Sequence, residues 1–337
     1  MNAAIYGFAG TVLTEDERDF FRDLNPAGFI LFRRNIETRD QLKALTDSLR
    51  ELSGRADVPI LVDQEGGRVA RMRAPEWPDF PCAEKFDALY QVAPSSAIEA
   101  VRSNSRALGL MLAEVGINVD CLPLLDVRQP GASDIIGDRA LGAQPMQVSA
   151  LGRATLDGLA SSGIVGVVKH IPGHGRALVD SHHELPVVTA SAAELEIDLE
   201  PFERLNWAPM AMVAHVVYEA WDAERPSSQS PTIIRDIIRG RIGFDNLLMS
   251  DDSGMNALSG SAGERAAACV AAGCDVALPC DGVFANNLDV AAHVPDMTAA
   301  AVERLARAMA TIAPNDAAMD FAEAIANRDA LLAVAAA

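Results

Sequence analysis

Short apolar runs alternate with longer segments of helical periodicity along most of the chain. Eight runs are rich in apolar and β-branched residues, and they span residues 3–8, 28–35, 59–67, 116–127, 165–173, 210–218, 246–252 and 274–280. Runs that are apolar almost throughout are typical of strands buried on both faces, as in parallel sheets. The pattern therefore predicts eight parallel strands.

Helical patterns separate these strands. Thr38–Gln41 and Ser191–Glu194 have the sequence of a capping box, and apolar residues follow each at helical spacing. Further helical patterns span residues 96–114, 145–162, 230–240 and 261–272, and the alanine-rich region 297–336 predicts two final helices.

This alternation of strands and helices predicts an α/β fold, a single-domain (β/α)₈ TIM barrel. An open doubly wound sheet is the alternative, but no GxGxxG phosphate loop joins a strand to a helix. We expect one domain over residues 1–337, with the barrel over roughly 3–312 and a C-terminal helical extension over roughly 313–337.

Polar residues collect where the predicted strands end, and burial alone would not produce this asymmetry. They are Arg33, Arg34, Asn35, Asp63, Glu65, Arg68, Asp126, Lys169, His170, His215, Asp251 and Asp252. Active sites of barrels lie at the carboxyl ends of the strands. Because side chains alternate along a strand, one residue of the Asp251–Asp252 pair should face the barrel axis. It could act as a nucleophile, a general base or a metal ligand, and two helix caps are the alternative.

Asp63 and two arginines in "VDQEGGRVARMR" predict a binding site for a sugar or a carboxylate. Arg68 and Arg71 are three residues apart and would share a face of a helical turn. A carboxylate accepts hydroxyl hydrogen bonds, and a guanidinium donates a pair of them. A structural ion pair between the aspartate and an arginine is the alternative.

The stretch "KHIPGHGRALVDSHHELP", residues 169–186, holds four of the six histidines. Lys169 and His170 end a strand, and a loop long enough to be functional follows them. Asp180 and His182 are two residues apart, so the carboxylate could orient the imidazole as a general acid/base pair. A zinc site and purely structural histidines are the alternatives, although the spacing matches no zinc template.

Composition and charge limit the partners of the protein. The chain of 337 residues has 28 basic and 47 acidic residues, which give a net charge of −19. Such a surface should repel nucleic acid and anionic membranes. No apolar run is long enough to cross a membrane, and no secretory signal is evident. The five cysteines form no CxxC pair, which is typical of free thiols in a reducing compartment. We expect a cytoplasmic protein that binds neither nucleic acid nor membranes.

Five motifs in this order resemble the bacterial β-N-acetylglucosaminidases of glycoside hydrolase family 3. They are "VDQEGGRVARMR", "IIGDRALG", "KHIPGHG…DSHHELP", "MVAHVVY" and "LLMSDDSGM", and they cover roughly residues 5–285. The resemblance implies a single barrel domain that hydrolyses terminal β-linked N-acetylglucosamine with retention of configuration. It implies a muropeptide substrate, N-acetylglucosaminyl-1,6-anhydro-N-acetylmuramic acid with its peptide, and a role in cell-wall recycling. We also expect a monomer without a metal or a cofactor.

The resemblance also implies a role for each motif residue. Asp251 would be the nucleophile, and His182 the general acid/base with Asp180 as its partner. The residues that would bind the sugar are Asp63, Arg71, Arg139, Lys169 and His170, with His215 lining the same pocket. Three positions depart from the family pattern: Ile171 replaces an aromatic residue, His183 an apolar one, and Ser253–Gly254 follow the aspartate pair where the family has leucine.

Three other functions stay open at this point. A phosphorylase would use phosphate in place of water, and a histidine acid/base would not repel it. A substrate-assisted hexosaminidase would use Asp251 and Asp252 as a carboxylate pair. A sugar-binding protein without catalytic activity belongs to another class, and the complete set of Asp251, Asp180 and His182 speaks against it.

Overall fold

Eight parallel strands form a closed barrel in this computed structural model, which describes residues 1–179, 184–312 and 320–336. The strands are β1 (Asn2–Tyr6), β2 (Pro26–Leu31), β3 (Ile60–Val62), β4 (Val119–Asp120), β5 (Val165–Ile171), β6 (Val187–Val188), β7 (Met210–Val213), β8 (Val217–Tyr218), β9 (Leu247–Asp252) and β10 (Val276–Leu278). The barrel order is β1-β10-β9-β7-β5-β4-β3-β2, and β6 pairs with β8 outside it. The predicted barrel is confirmed, and each of the eight predicted apolar runs supplies one barrel strand.

Helices connect the strands on the outside of the barrel. They are α1 (Glu15–Leu24), α2 (Arg39–Ser53), α3 (Ala83–Val92), α4 (Pro94–Glu114), α5 (Pro145–Ala160), α6 (Ala192–Arg204), α7 (Ala262–Ala272), α8 (Phe284–His293), α9 (Ala299–Met309) and α10 (Phe321–Leu332). A π-helix over Ile233–Arg241 occupies the predicted segment 230–240. The sequence analysis did not predict α1, α3 or α8. A complete capping box forms at Ser191, whereas at Thr38 only the side-chain cap to the Gln41 amide forms.

Apolar side chains fill the interior of the barrel. Ile5, Ile30, Leu61, Val167 and Met249 belong to one buried cluster to which the barrel strands contribute. Two further clusters include residues from the strands and from the surrounding helices. The strands are therefore buried on both faces, which explains why their sequences are apolar almost throughout.

The first and last strands of the barrel, β1 and β10, pair with each other and close it. Ala4 of β1 pairs with Ala277 of β10 in parallel, and the Ala3 amide donates a hydrogen bond to the Pro295 carbonyl at 3.0 Å. The barrel therefore has no open edge among the described residues.

Two barrel strands have irregular pairing near their carboxyl ends. The register of β5 against β7 shifts between Lys169 and Ile171, and that of β10 against β9 shifts between Val276 and Leu278. A bulge of this kind changes the direction of side chains and breaks strict alternation. As a result, consecutive residues at the end of one strand can face the same space.

The last helix packs against the side of the barrel. Asn327 of α10 donates a hydrogen bond to the Ser103 hydroxyl of α4 at 2.7 Å, and Arg328 Nη1 donates to Asn104 Oδ1 at 3.3 Å. The Arg328 guanidinium also lies over the Phe80 ring, 5.5 Å from its centroid. In the described ranges, no helix is both long enough and apolar enough to cross a membrane.

Candidate active site

A cavity of about 430 Å³ lies at the carboxyl ends of the barrel strands. Its volume falls within the range typical of sites for small molecules. Charged and imidazole side chains from several strands and loops line it: Asp63, Glu65, Arg68, Arg71, Arg139, Lys169, His170, His174, Asp251 and Asp252. The structure thus brings together six of the predicted site residues, which are Asp63, Arg71, Arg139, Lys169, His170 and Asp251.

Five charged side chains form a continuous chain of ion pairs in this cavity. Asp63 accepts from Arg71 Nη2 and from Lys169 Nζ, each at 3.0 Å. Lys169 Nζ lies 2.7 Å from Glu65 Oε1, and Arg139 donates two hydrogen bonds to Glu65 at 2.7 and 2.8 Å. Cations and anions alternate from Arg71 to Arg139, so no charge in the row lacks a partner of opposite sign.

These contacts keep the row ionised in spite of its burial. Burial by itself would raise the pKa of Asp63, but Lys169 and Arg71 outweigh it and hold that pKa well below its ordinary value. In the same way, burial is outweighed at Glu65 by Arg139 and Lys169, which lower its pKa to about 2. Burial would lower the pKa of Lys169, yet Glu65 and Asp63 raise it. The row therefore contains three cations and two anions at neutral pH, in a chain of net charge −19.

Asp251 lies near the end of β9 and is only 8% exposed. Burial would raise the pKa of its carboxyl, but His170, His215 and the hydrogen bond from the Asp252 amide, at 2.8 Å, together lower it. A carboxylate that stays ionised while largely screened from water is suited to attack an electrophilic carbon.

Asp252 also lines the cavity, so the expectation that only one residue of the pair would face inward is wrong. The shifted pairing of β9 with β10 accounts for this. Asp252 Oδ1 accepts from the Gly254 amide at 2.8 Å and from the Cys280 amide at 3.2 Å. Burial, together with the neighbouring charge of Asp251, raises the pKa of Asp252 to about 6. The pKa values of the two carboxyl groups thus differ because their surroundings differ.

Asp126 orients His170. Its Oδ2 lies 2.8 Å from His170 Nδ1, and its Oδ1 accepts from the backbone amides of His170 and His174 at 3.2 and 2.7 Å. Burial would raise the pKa of Asp126, but the two histidines outweigh it and lower that pKa to about 2. An ionised Asp126 requires the proton on Nδ1 of His170, which leaves Nε2 available for another partner.

His215 lies behind the end of β9. It is fully buried, its Nδ1 lies 2.6 Å from the Ser228 hydroxyl, and its Nε2 lies 3.0 Å from the Asp252 carbonyl oxygen. It is absent from the residues that line the cavity. Burial lowers its pKa, so the imidazole is neutral. In this position His215 supports the backbone that carries Asp251 and Asp252.

Comparison with known proteins connects this geometry to a family. The model of the glycosyl hydrolase family 3 N-terminal domain matches residues 8–314. The chain belongs to glycoside hydrolase family 3. It is therefore a glycosidase, and the family predicted from its motifs is confirmed.

Relatives of this family 3 glycosidase align over nearly its whole length. A β-hexosaminidase of Bordetella avium is 36% identical over 316 residues, which cover 91% of this chain and 88% of the relative. The crystal structure of native NagZ from Neisseria gonorrhoeae superposes with a TM-score of 0.86 at 33% identity and covers 98% of both chains. A second structure of that protein, in complex with N-trifluoroacetyl-D-glucosamine, has a TM-score of 0.83 at 32% identity, covering 99% of this chain and 97% of the other.

The predicted acid/base pair of the family 3 glycosidase, Asp180 and His182, lies outside the described residues, as does His183. The start of the loop that carries these residues belongs to the described part of the chain, and hydrogen bonds hold it in place. Tyr218 donates to the Gly173 carbonyl at 2.6 Å, and Arg176 Nε donates to Asp198 at 2.6 Å. The loop therefore begins from a rigid base beside the cavity.

His174 lies at that base and is a neutral group. It lines the cavity, and burial, helped by the neighbouring His170, lowers its pKa to about 4. Among residues 1–179, 184–312 and 320–336, no group of three or more His, Cys, Asp and Glu side chains is arranged to hold a metal ion.

Sequence reasoning on this glycosidase placed two carboxylates, Glu65 and Asp126, at strand ends but assigned neither of them a role. Glu65 binds both Arg139 and Lys169, and Asp126 holds His170. Both residues stand at the ends of predicted strands, and that position was the available signal. Their partners could not be identified because Arg139 is 74 residues away from Glu65 and His170 is 44 residues away from Asp126.

Proposed function

We propose that the protein is a retaining exo-β-N-acetylglucosaminidase that forms a covalent glycosyl-enzyme on Asp251. The observation that carries the proposal is the position of Asp251. It is a buried and ionised carboxylate in the same cavity as the row of five paired charges. The β-hexosaminidase name of the Bordetella relative supports the same activity.

The proposed reaction has two steps. Asp251 attacks the anomeric carbon, the bond to the leaving oxygen breaks, and His182 gives its proton to that oxygen. His182 then takes a proton from water, the water oxygen attacks the anomeric carbon, and the bond to Asp251 breaks. Two inversions at one carbon give net retention. Histidine is suited to both roles near neutral pH because its ordinary pKa is about 6.5. The assignment of His182 and Asp180 rests on the motif resemblance.

The charged row is suited to hold the sugar. Asp63 and Glu65 offer acceptors, and Arg71, Lys169 and Arg139 offer donors, so both hydrogen-bonding roles of a hydroxyl can be met. His170 points its remaining ring nitrogen away from Asp126, and we assign it to the same subsite. These groups bind one terminal residue, consistent with an exo-acting enzyme.

We further propose that the substrate is a peptidoglycan fragment with a non-reducing terminal N-acetylglucosamine, N-acetylglucosaminyl-1,6-anhydro-N-acetylmuramic acid, released during cell-wall recycling. The N-acylated glucosamine bound to the gonococcal NagZ supports the sugar. We place the enzyme in the cytoplasm, where its free cysteines would stay reduced. We also propose that residues 1–337 act as one domain and as a monomer.

Turnover of two chromogenic glycosides tests the substrate. The enzyme should hydrolyse 4-nitrophenyl N-acetyl-β-glucosaminide much faster than the matching β-glucoside, and phosphate should leave the rate unchanged. A preference for the glucoside would overturn the sugar assignment. A rate that requires phosphate, with a sugar phosphate as product, would indicate a phosphorylase.

Leaving-group dependence tests the acid. His182→Ala should retain far more activity on the 4-nitrophenyl glycoside than on a natural disaccharide, because nitrophenolate leaves without protonation. Asp251→Ala should be nearly inactive on both substrates. Equal losses for His182→Ala on the two substrates would contradict the acid role.

Covalent trapping tests the nucleophile. A 2-fluoro sugar with a good leaving group should label Asp251, and peptide mass mapping would locate the label. A label on another residue, Asp252 included, would overturn the assignment. Hydrolysis without any observable adduct would instead support a substrate-assisted mechanism.

A further inference from the structure

Glu65 joins Lys169 and Arg139, two of the proposed sugar-binding cations, as Asp63 joins Lys169 and Arg71. Its Oε1 lies 2.7 Å from both Lys169 Nζ and Arg139 Nη2, and its Oε2 accepts from Arg139 Nε at 2.8 Å. The side chain is only 5% exposed. Within residues 1–179, 184–312 and 320–336, Glu65 is the carboxylate paired with Arg139, whereas Lys169 is paired with both Glu65 and Asp63.

The contacts made by Glu65 determine which donors remain for a ligand. Arg139 has five N–H groups; two of them bind Glu65, and a third binds the Ile135 carbonyl at 3.0 Å. Lys169 has three, of which one binds Asp63 and one binds Glu65. Each cation therefore has only a few N–H groups left to donate to a ligand, and these point in a fixed direction.

The backbone beneath Glu65 is fixed as well. Its amide donates to the Val69 carbonyl at 2.9 Å, and the Gly67 amide donates to the Phe80 carbonyl at 2.8 Å. Gly66 has a φ of +93°, and a Cβ there would come within 2.4 Å of the Pro81 carbonyl oxygen. The turn thus packs so closely against residues 80–82 that Glu65 has little freedom to move.

From this arrangement we propose that Glu65 is a positioning residue: it holds Lys169 and Arg139 in the orientation in which they bind the terminal sugar. The proposal rests on the function proposed above. Glu65 acts through the two cations, whose order before the ligand arrives reduces the entropic cost of binding.

Loss of the Glu65 charge should also change how Lys169 responds to pH. The charged and titratable groups around Lys169 are Asp63, Glu65, Asp120, Cys121, Arg139 and Asp251. Burial lowers the pKa of Lys169, and Glu65 and Asp63 counter it. Without Glu65, the lysine should lose its proton at a lower pH, and sugar binding should weaken there.

The test compares Glu65→Gln with Asp275→Asn as a matched control. Asp275 is also a buried carboxylate between two cations, with Arg239 Nη2 at 2.8 Å and Arg304 Nη1 at 3.0 Å. It precedes β10 at the amino end of that strand, whereas the cavity is lined by residues at the carboxyl end, Leu278 and Cys280. KM and kcat on 4-nitrophenyl N-acetyl-β-glucosaminide and the inhibition constant of free N-acetylglucosamine would be measured from pH 6 to 10, with unfolding midpoints.

We expect Glu65→Gln to raise KM and the inhibition constant by roughly 10- to 100-fold, as for loss of charge-assisted hydrogen bonds. At alkaline pH both constants of the variant should rise further, and this rise should begin at a lower pH than in the wild type. Asp275→Asn should lower the unfolding midpoint and leave both constants and their pH dependence unchanged.

A folded Glu65→Gln variant with wild-type constants would overturn the proposal. If that variant does not fold, Glu65→Asp tests the proposal instead, because it keeps the charge but has a shorter side chain. A raised inhibition constant with the wild-type pH dependence would support the proposal. An unchanged inhibition constant would overturn it. Failure of the wild-type enzyme to cleave the glucosaminide would reject the proposed function instead.

Discussion

Two adjacent carboxylates, Asp251 and Asp252, lie in different electrostatic surroundings. Histidines hold the pKa of Asp251 down, whereas burial and the charge of Asp251 raise the pKa of Asp252 to about 6, although Asp252 accepts hydrogen bonds from the Gly254 and Cys280 amides. A carboxyl with a raised pKa in the folded state favours the protonated form there. Its contribution to stability is present below about pH 4 and is lost as the pH rises through 6.

Asp252→Asn should therefore stabilise the protein in a pH-dependent way. The amide oxygen can still accept the Gly254 and Cys280 amides, and it cannot ionise. The free energy of unfolding of the variant relative to the wild type should increase by roughly 2 kcal/mol between pH 4 and pH 7.5. Urea denaturation at both pH values measures this, with the exposed Asp23→Asn as control. A difference that stays constant with pH would contradict the expectation.

Residues at the strand ends were predictable to different degrees. Asp63, Lys169 and Asp251 follow apolar runs, so the barrel hypothesis predicts that they lie in one cavity. The inward position of Asp252 was not predictable, because a register shift is a property of strand pairing and leaves no mark in the alternation of the sequence. The location of His215 behind β9 likewise depends on Ser228, which meets it only in the folded chain.

The turn after β3 is the element on which the cavity most depends. Gly66 and Gly67 both have positive φ angles, and their neighbours are Pro81 and Cys82. The turn carries Glu65 on one side and the segment that leads to Arg71 on the other. A small change in this turn should therefore affect several sugar contacts together.

Gly66→Ala should be far more damaging than Gly54→Ala. Both positions have positive φ, but a Cβ on Gly54, at the end of α2, would meet nothing within 4 Å. Gly54→Ala should cost about 1 kcal/mol from backbone strain. Gly66→Ala adds a clash with the Pro81 carbonyl, so it should cost at least about 3 kcal/mol and raise KM. Equal unfolding midpoints for the two variants would show that the turn shifts and relieves the clash with the Pro81 carbonyl.

Among the elements, the strands were predicted more completely than the helices. Strands buried on both faces leave a continuous apolar signal, and all eight barrel strands were predicted. Helix α1 was missed although Thr14 and Glu17 form a capping box, because its sequence is largely polar. Helix α3 has no side-chain cap at Cys82, and its position depends on tertiary packing.

At the scale of the whole molecule, α10 links the end of the described chain to the active-site side of the barrel. Arg328 is 7% exposed, binds Asn104 of α4 and lies over Phe80, whose carbonyl accepts the Gly67 amide. The helix thus supports the turn that carries Glu65 indirectly, through Phe80. It lies beyond residue 314, the last residue matched by the family model.

Arg328→Ala should lower the unfolding midpoint by several degrees, since it removes a buried hydrogen bond and the contact with Phe80 at a cost of about 2 kcal/mol. It should also raise KM modestly, through looser packing of the turn. Arg235→Ala is the control, because that arginine is exposed and pairs only with its neighbour Asp236. A lower unfolding midpoint with an unchanged KM would show that α10 stabilises the fold without affecting the active site.

The pairing of β1 with β10 has a consequence for synthesis of the protein. Ala277 of β10 is synthesised 273 residues after its partner Ala4. The nascent chain must therefore hold the apolar edge of β1 unpaired for most of that time, which exposes it to aggregation and to chaperones. Arrested chains that end before β10 should remain sensitive to protease, and those that include it should become resistant.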